Sequence, residues 1–201
     1  MIIKIFTGPN NYDISSLYNK EENEFIIGVD IGAYKLSKNE IKIDLAIGDF
    51  DSVNNDEFEL IKKFSNEIKK YDDKKDYTDT YLALQTALSM EYDEIVIYGG
   101  TGGRFDHGFA NMNLLKLGRI SIVSNDIMMY MLDPGSYEIE NKFKYISFFA
   151  IEDIKGLTLD GFKYELNNID LSTENPLCIS NELEGNISFK EGLLLVVHQN
   201  E

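Results

Sequence analysis

Asp49 and Asp51 stand two apart in Leu45-Ala-Ile-Gly-Asp-Phe-Asp-Ser52, directly behind an apolar run that ends at Gly48. In an extended loop that spacing points both carboxylates the same way. Carboxylates so placed repel each other unless a cation lies between them, and an all-oxygen pair suits Mg²⁺. A turn in which Asp49 and Ser52 cap a following helix would use the same residues. A second acidic segment is Asp72-Asp-Lys-Lys-Asp-Tyr-Thr-Asp-Thr80. Asp76 and Asp79, three apart, are predicted to share one side of a first helical turn. The free N–H groups and dipole of a helix N-terminus favour carboxylates and phosphates alike. A capped helix behind a solvated charge run explains Thr78 and one aspartate. It does not explain four aspartates with two lysines among them.

The third segment is Tyr98-Gly-Gly-Thr-Gly-Gly-Arg-Phe-Asp-His107, behind the apolar run Glu94–Tyr98. Four glycines in five positions permit positive φ angles and let main-chain N–H groups approach a ligand closely. The order is neither G-x-x-x-x-G-K-[ST] nor G-x-G-x-x-G. Arg104 could brace phosphate with its planar fork of donors, or form a surface ion pair. His107 opens a helix, where capping is a simpler role than proton transfer. His198 follows Leu193–Val197 in the C-terminal tail and is predicted on the surface, whereas Cys178 in Pro-Leu-Cys-Ile-Ser is predicted in the core. No zinc-ligand cluster or nucleophilic triad is visible.

These segments need a frame. Up to about residue 125, apolar β-type runs at Ile2–Phe6, Phe25–Val29, Leu45–Ile47, Ile95–Tyr98 and Ile120–Val123 alternate with candidate helices near 12–20, 32–38, 54–66, 79–90 and 107–117. The helix from Asp79 has Tyr81, Leu84, Ala87 and Leu88 on one stripe and Thr78 or Asp79 as its cap. Such alternation predicts an α/β domain with a mostly parallel, Rossmann-like sheet, whose ligands gather at the carboxyl ends of the strands. Beyond residue 126 the strand-like runs are Met128–Leu132, Tyr137–Glu140, Tyr145–Ile151, Leu157–Leu166, Leu177–Leu183, Asn186–Phe189 and Leu193–Val197. Turn signals such as Asn167-Asn-Ile-Asp170 join them, which predicts an all-β sandwich or barrel. The expected domains are 1–126, catalytic, and 127–201, all-β.

Across 201 residues, 43% are hydrophobic and 27% charged, as in ordinary globular proteins. No apolar run nears the roughly 18 residues that span a bilayer, and the N-terminus turns polar too soon for a secretory signal. A single cysteine excludes an internal disulfide framework and fits a reducing compartment, so a cytoplasmic location is expected. The net charge is −16, from 35 acidic and 19 basic residues, which disfavours nucleic acid as a partner. An anionic nucleotide would need its repulsion neutralised, and divalent cations do that.

Taken in order, GDFDS, KDYTD and GGRFDH resemble the thiamine pyrophosphokinases. Val29-Asp-Ile-Gly-Ala33 looks like that family's early nucleotide-site loop. Ile179-Ser-Asn-Glu182 with Gly192–Val197 looks like its C-terminal signature. The resemblance implies transfer of the pyrophosphoryl group of ATP to the hydroxyl of thiamine, giving thiamine diphosphate and AMP. It implies Mg²⁺ on Asp49, Asp51 and Asp79, which with Asp106 would be the catalytic carboxylates. Asp30, Lys75, Asp76, Thr78, Arg104 and His107 would serve the nucleotide and its phosphates, and Ser180 and Asn181 would contact thiamine. It also implies a homodimer with thiamine at the subunit interface, the all-β domain serving thiamine binding and dimerisation. Tryptophan is absent, so Phe or Tyr must supply any ring packed on thiamine. Two rival functions use the same acidic loops: a Mg²⁺-dependent nucleotide phosphohydrolase, and a non-catalytic sensor of nucleotide or thiamine diphosphate.

Overall fold

The computed structural model describes residues 1–8, 12–72 and 76–200; Lys75 falls outside the described residues. The chain divides into two compact units, Met1–Asn125 and Asp126–Glu201.

In the first unit the elements run β1 (Ile2–Phe6), α1 (Ile14–Leu17), β2 (Glu24–Val29), α2 (Ile31–Lys38), β3 (Ile43–Gly48) and α3 (Asn55–Phe64). They continue with β4 (Ser65–Lys70), α4 (Asp79–Leu88), β5 (Glu94–Tyr98), α5 (Phe105–Leu114), a 3-10 turn at Leu115–Leu117 and β6 (Ile120–Val123). The strands pair in parallel in the order β4-β3-β2-β1-β5-β6. The chain builds outward from β1 to β4 and then returns to the other side of β1. The order therefore reverses between β1 and β5, where open parallel sheets leave a crevice at the strand ends. Ile3, Ile5, Ile27, Ile43, Ile47, Ile95 and Ile97 are fully buried, and Phe6 stacks on Tyr98 at 4.4 Å. Near-continuous β-branched runs of this kind mark strands covered on both faces.

Two details differ from expectation. The helix expected over 54–66 stops at Phe64, and residues 65–70 pair with β3 as the edge strand β4. Its sequence, Ser-Asn-Glu-Ile-Lys-Lys, buries little, because an edge strand needs no apolar alternation and benefits from charge. The helix start, by contrast, carries a reciprocal capping box between Asn54 and Glu57.

The second unit runs β7 (Ile127–Leu132), β8 (Gly135–Ile139), β9 (Tyr145–Ala150), β10 (Ile154–Asp160), β11 (Leu166–Leu171), β12 (Gly185–Phe189) and β13 (Leu194–Gln199). Strand β13 lies antiparallel between β7 and β9, and a separate antiparallel sheet has the order β11-β10-β12-β8. Ile146, Phe148, Leu194 and Val196 from the first set share one buried cluster with Leu157, Leu159, Ile187 and Phe189 from the second.

Three expectations are corrected here. The single strand expected over Leu157–Leu166 is two, broken around Gly161 (φ +86), and residues 167–170, expected as a turn, lie inside β11. Residues Leu177–Leu183 form no strand beyond an isolated bridge from Asn181 to Ile146, since Ser180 and Leu183 adopt positive φ and interrupt any ladder. His198 is not on the surface. It is 3% exposed, because β13 has a partner on each side and its alternation turns this ring inward. Burial lowers its pKa to about 4, while burial pushes the Cys178 thiol up to about 11.

Candidate active site

Strands β2 and β3 are neighbours, with Val29 opposite Ile47, so the residues that follow them emerge side by side. Asp30 turns the chain out of β2 at φ 47, a conformation uncommon for any residue but glycine, and its N–H donates to the Ile47 carbonyl at 3.0 Å. Asp49 follows Gly48 at the end of β3. Asp79 opens α4, whose N-cap Thr78 accepts the Tyr81 N–H at 3.2 Å. Helix α4 packs along β1, β2 and β3, and Thr80 is tied to Thr7 at the end of β1 by a buried hydroxyl contact of 2.8 Å. The outcome is that carboxylate oxygens of Asp30, Asp49 and Asp79 lie within 4.8 Å of one another, all partly shielded.

Two of the three residues expected to hold metal, Asp49 and Asp79, thus come together, and Asp30 joins them. Asp51 is not one of that group and is exposed. The extended loop assumed for Asp49–Asp51 is the step that fails. Phe50 between them is buried at φ 59, its ring 5.0 Å from Phe58, and the Asp51 N–H donates back to Asp49 Oδ1 at 3.1 Å. A left-handed residue in the middle breaks the two-residue alternation that an extended loop would have. Asp76 differs for a related reason: the helix begins only at Asp79, leaving Asp76 exposed ahead of the cap rather than on the first turn.

The glycine-rich loop follows β5. Gly99, Gly100, Gly102 and Gly103 all have positive φ, between 68° and 85°, where a side chain would be strained. The loop is pinned by Gly99 N–H to the Val123 carbonyl (2.9 Å), Asn111 Nδ2 to the Gly100 carbonyl (2.9 Å) and Thr101 to Ser124 (3.2 Å). It delivers Arg104 and Asp106 to the exposed start of α5. There the guanidinium donates to both carboxylate oxygens, Nε to Oδ1 at 3.1 Å and Nη2 to Oδ2 at 2.5 Å. These hydrogen bonds with Arg104 hold the Asp106 carboxyl below the usual range and raise the guanidinium in turn. His107 is exposed, and its backbone N–H donates to Asp106 Oδ1 at 3.0 Å.

In the second unit, Ser180 is exposed at φ 59 with its N–H on Ser147 Oγ (2.9 Å). Asn181 is buried. Its Oδ1 accepts from the Tyr164 and Glu182 N–H groups, and its Nδ2 donates to the Tyr164 carbonyl. This amide shapes the loop that presents its neighbours. Sequence reading missed Thr7, Thr80 and Asn111, buried polar residues that tie the elements of the site together. The one available signal was a lone polar residue at the end of an apolar strand or among the buried positions of a helix.

Three carboxylates gathered where parallel strands end, beside a pinned glycine loop, define an α/β protein with an acidic, all-oxygen cluster at its strand ends. The model for "Thiamin pyrophosphokinase, catalytic domain" matches residues 17–129, and that for "Thiamin pyrophosphokinase, vitamin B1 binding domain" matches 136–194. The thiamine pyrophosphokinase of Bacillus subtilis (strain 168) is 40% identical over 206 residues, covering 96% of both chains. The crystal structure of the Bacillus subtilis thiamine pyrophosphokinase superposes with a TM-score of 0.90 at 38% identity, over 100% of this chain and 99% of that one. That of the thiamin pyrophosphokinase from Geobacillus thermodenitrificans does so with 0.88 at 33%, over 100% and 98%. The Candida albicans thiamin pyrophosphokinase, at 17% identity and a TM-score of 0.75 over 98% and 88%, shares the fold. The chain belongs to the thiamine pyrophosphokinase family. No helix among the described residues is long and apolar enough to cross a membrane.

Proposed function

We propose that this chain transfers the terminal pyrophosphoryl group of ATP to the hydroxyl of thiamine, giving thiamine diphosphate and AMP. The observation that carries this reading is the convergence of Asp30, Asp49 and Asp79 at adjacent strand ends, inside the segment matched by the catalytic-domain model. In this reading the first unit is a Rossmann-like nucleotide domain, and the second a β-sandwich that binds thiamine and dimerises. The homodimer, with thiamine at the subunit interface, and the cytoplasmic location belong to the same reading.

The residues present fit a Mg²⁺ ion, because three carboxylate oxygens within 4.8 Å of one another form a hard, all-oxygen donor set. Asp30, Asp49 and Asp79 would hold it, with Asp51 offered by the same turn as Asp49. Bound there, Mg²⁺ would neutralise charge on the triphosphate oxygens, which in a protein of charge −16 would otherwise be repelled.

The remaining roles fall to the chain itself. Main-chain N–H groups of the positive-φ glycine loop face anionic oxygens, and Arg104 adds two parallel donors. Asp76, Thr78 and His107 are assigned to the phosphates, as is Lys75 by its place in the motif, and Ser180 and Asn181 to the thiamine, Asn181 by holding its loop in shape. The thiamine hydroxyl oxygen forms a bond to the β-phosphorus while the bond from that phosphorus to the α,β-bridging oxygen breaks, and AMP leaves. The hydroxyl proton passes to a carboxylate. Asp106, held below the usual carboxylate range by its pairing with Arg104, is a weak acceptor for it. Positioning and electrostatics carry such a reaction more than covalent chemistry does.

Measuring AMP formation from ATP with and without thiamine tests the proposal. Thiamine-dependent AMP is expected. Phosphate or pyrophosphate release without thiamine would mark a hydrolase, and ligand binding with no AMP a sensor.

A further inference from the structure

We infer that Gly48 is a positioning residue, whose missing β-carbon is the space that holds the Asp30 carboxylate against Asp49 and Asp79. A β-carbon built at position 48 would lie 1.7 Å from Asp30 Oδ1, 2.6 Å from its Cγ and 3.3 Å from its Oδ2. All of its nearest neighbours are thus atoms of one carboxylate. The Asp30 main chain is fixed from both sides. Its N–H is bonded to the Ile47 carbonyl, and its own carbonyl accepts the Ala33 N–H at 3.0 Å as α2 begins. From the far side of Gly48, the Phe50 N–H donates to Asp30 Oδ1 at 3.2 Å and steers the group into the slot. With the backbone held, a methyl group at position 48 leaves the Asp30 carboxylate as the part that must move. It would leave Asp49 and Asp79 without any of the three acids having been removed. The motif glycine thereby sets the geometry of a residue eighteen positions earlier, which the pairing of β2 with β3 brings alongside.

The consequence for cation binding rests on the function proposed above; the Gly48–Asp30 contact does not. Five proteins separate them: wild type, Gly48→Ala, Asp30→Gly, the double variant of these two, and Asp49→Asn as the control for cation binding. The readouts are urea unfolding midpoint and Mn²⁺ affinity by electron paramagnetic resonance. Gly48→Ala should weaken Mn²⁺ binding by about tenfold or more, as loss of a group that orients a ligand commonly does. It should lower the unfolding midpoint in the Asp30 background yet cost much less in the Asp30→Gly background, where no carboxylate is in the way. Gly48 also has φ +153, which a side chain tolerates poorly for reasons unrelated to Asp30. An equal fall in midpoint in both backgrounds would assign the damage to that backbone conformation and overturn the inference. So would unchanged Mn²⁺ affinity in Gly48→Ala. If wild type and Asp49→Asn bind Mn²⁺ equally poorly, the cation reading falls, and the midpoints still decide the contact.

Discussion

Thr7 Oγ1 and Thr80 Oγ1 lie 2.8 Å apart, both residues buried, and join the carboxyl end of β1 to the first turn of α4. The contact fixes the helix start that carries Asp79. Thr80→Val keeps the shape of the side chain but strands the Thr7 hydroxyl without its partner. We expect a loss of about 1–2 kcal/mol in urea unfolding for the single variant. Thr7→Val with Thr80→Val should recover most of it, since removing both polar partners leaves nothing unsatisfied. A double variant as unstable as the sum of the singles would show that the hydroxyls do not act on each other.

Asp49→Asn and Asp79→Asn keep size and remove charge at two of the three clustered acids. Each should lower thiamine-dependent AMP formation by about two orders of magnitude or more. The thermal midpoint, measured alongside, separates loss of chemistry from loss of fold. Raising Mg²⁺ should restore part of the activity if the variants have lost affinity rather than geometry. Near-normal turnover in both would dissociate the cluster from catalysis.

How far the sequence revealed this site depends on which residue is considered. Strands β1, β2, β3, β5 and β6 announce themselves through apolar runs, and Asp49 and Asp79 follow from a strand end and a helix start. Asp30 was expected near the nucleotide but not within the cluster of Asp49 and Asp79, since its placement depends on a positive φ and on the register of β2 with β3. Asp51 was expected to follow Asp49 in an extended loop, and the left-handed Phe50 between them replaces that loop with a turn. In the second unit, strand β11 was masked by two asparagines, and Leu177–Leu183 imitated a strand through composition alone. Local patterns report what a segment can do. Burial and pairing then select among the options.

Arg104 and Asp106 form a bidentate pair that is exposed on both sides, so its worth to the fold is small. Arg104→Ala should leave the urea unfolding midpoint essentially where it is. The Michaelis constant for ATP should nevertheless rise several-fold, with a smaller effect on that for thiamine. Arg104→Lys should not restore it, because an ammonium lacks the two parallel donors. An unchanged constant for ATP would remove Arg104 from the phosphate site.

His198 gives the second unit a pH dependence of known sign. Its Nε2 lies 3.2 Å from Tyr130 Oη and its Nδ1 3.1 Å from Asn141 Oδ1, an arrangement that a neutral ring satisfies by accepting from the tyrosine and donating to the amide. Burial lowers the folded-state pKa from 6.5 to about 4. Between those values the unfolded chain binds a proton that the folded chain does not. The contribution is therefore complete above pH 6.5 and is lost as pH falls through 4. His198→Gln should cost stability at pH 7.5 and show a shallower decline from pH 6.5 to 4 than wild type in urea titrations. Parallel declines would mean that other groups govern the acid limb.

Lys4 and Glu24 make the sharpest test of burial in the first unit. Their side chains, on the neighbouring strands β1 and β2, are 4% and 9% exposed, and Nζ lies 2.8 Å from Oε2. Tyr18 Oη donates to Oε1 at 2.6 Å, the Glu21 N–H donates to Oε2 at 3.1 Å, and the ammonium also donates to the Asn19 carbonyl. Every charge in this group is answered, yet both ions gave up hydration to enter it. Breaking the pair should therefore cost far more than replacing it. Glu24→Ala leaves a buried ammonium without its counter-charge and should destabilise by about 3 kcal/mol or more. Lys4→Met with Glu24→Leu should fall within about 1 kcal/mol of wild type, reduced somewhat by the stranded Tyr18 hydroxyl. Adding Tyr18→Phe to that double variant should recover the difference. If the double variant were as unstable as Glu24→Ala, the pair would be a net source of stability rather than a satisfied burden, and the apolar packing of Ile3, Ile5 and Ile27 alone would not suffice to hold β1 against β2.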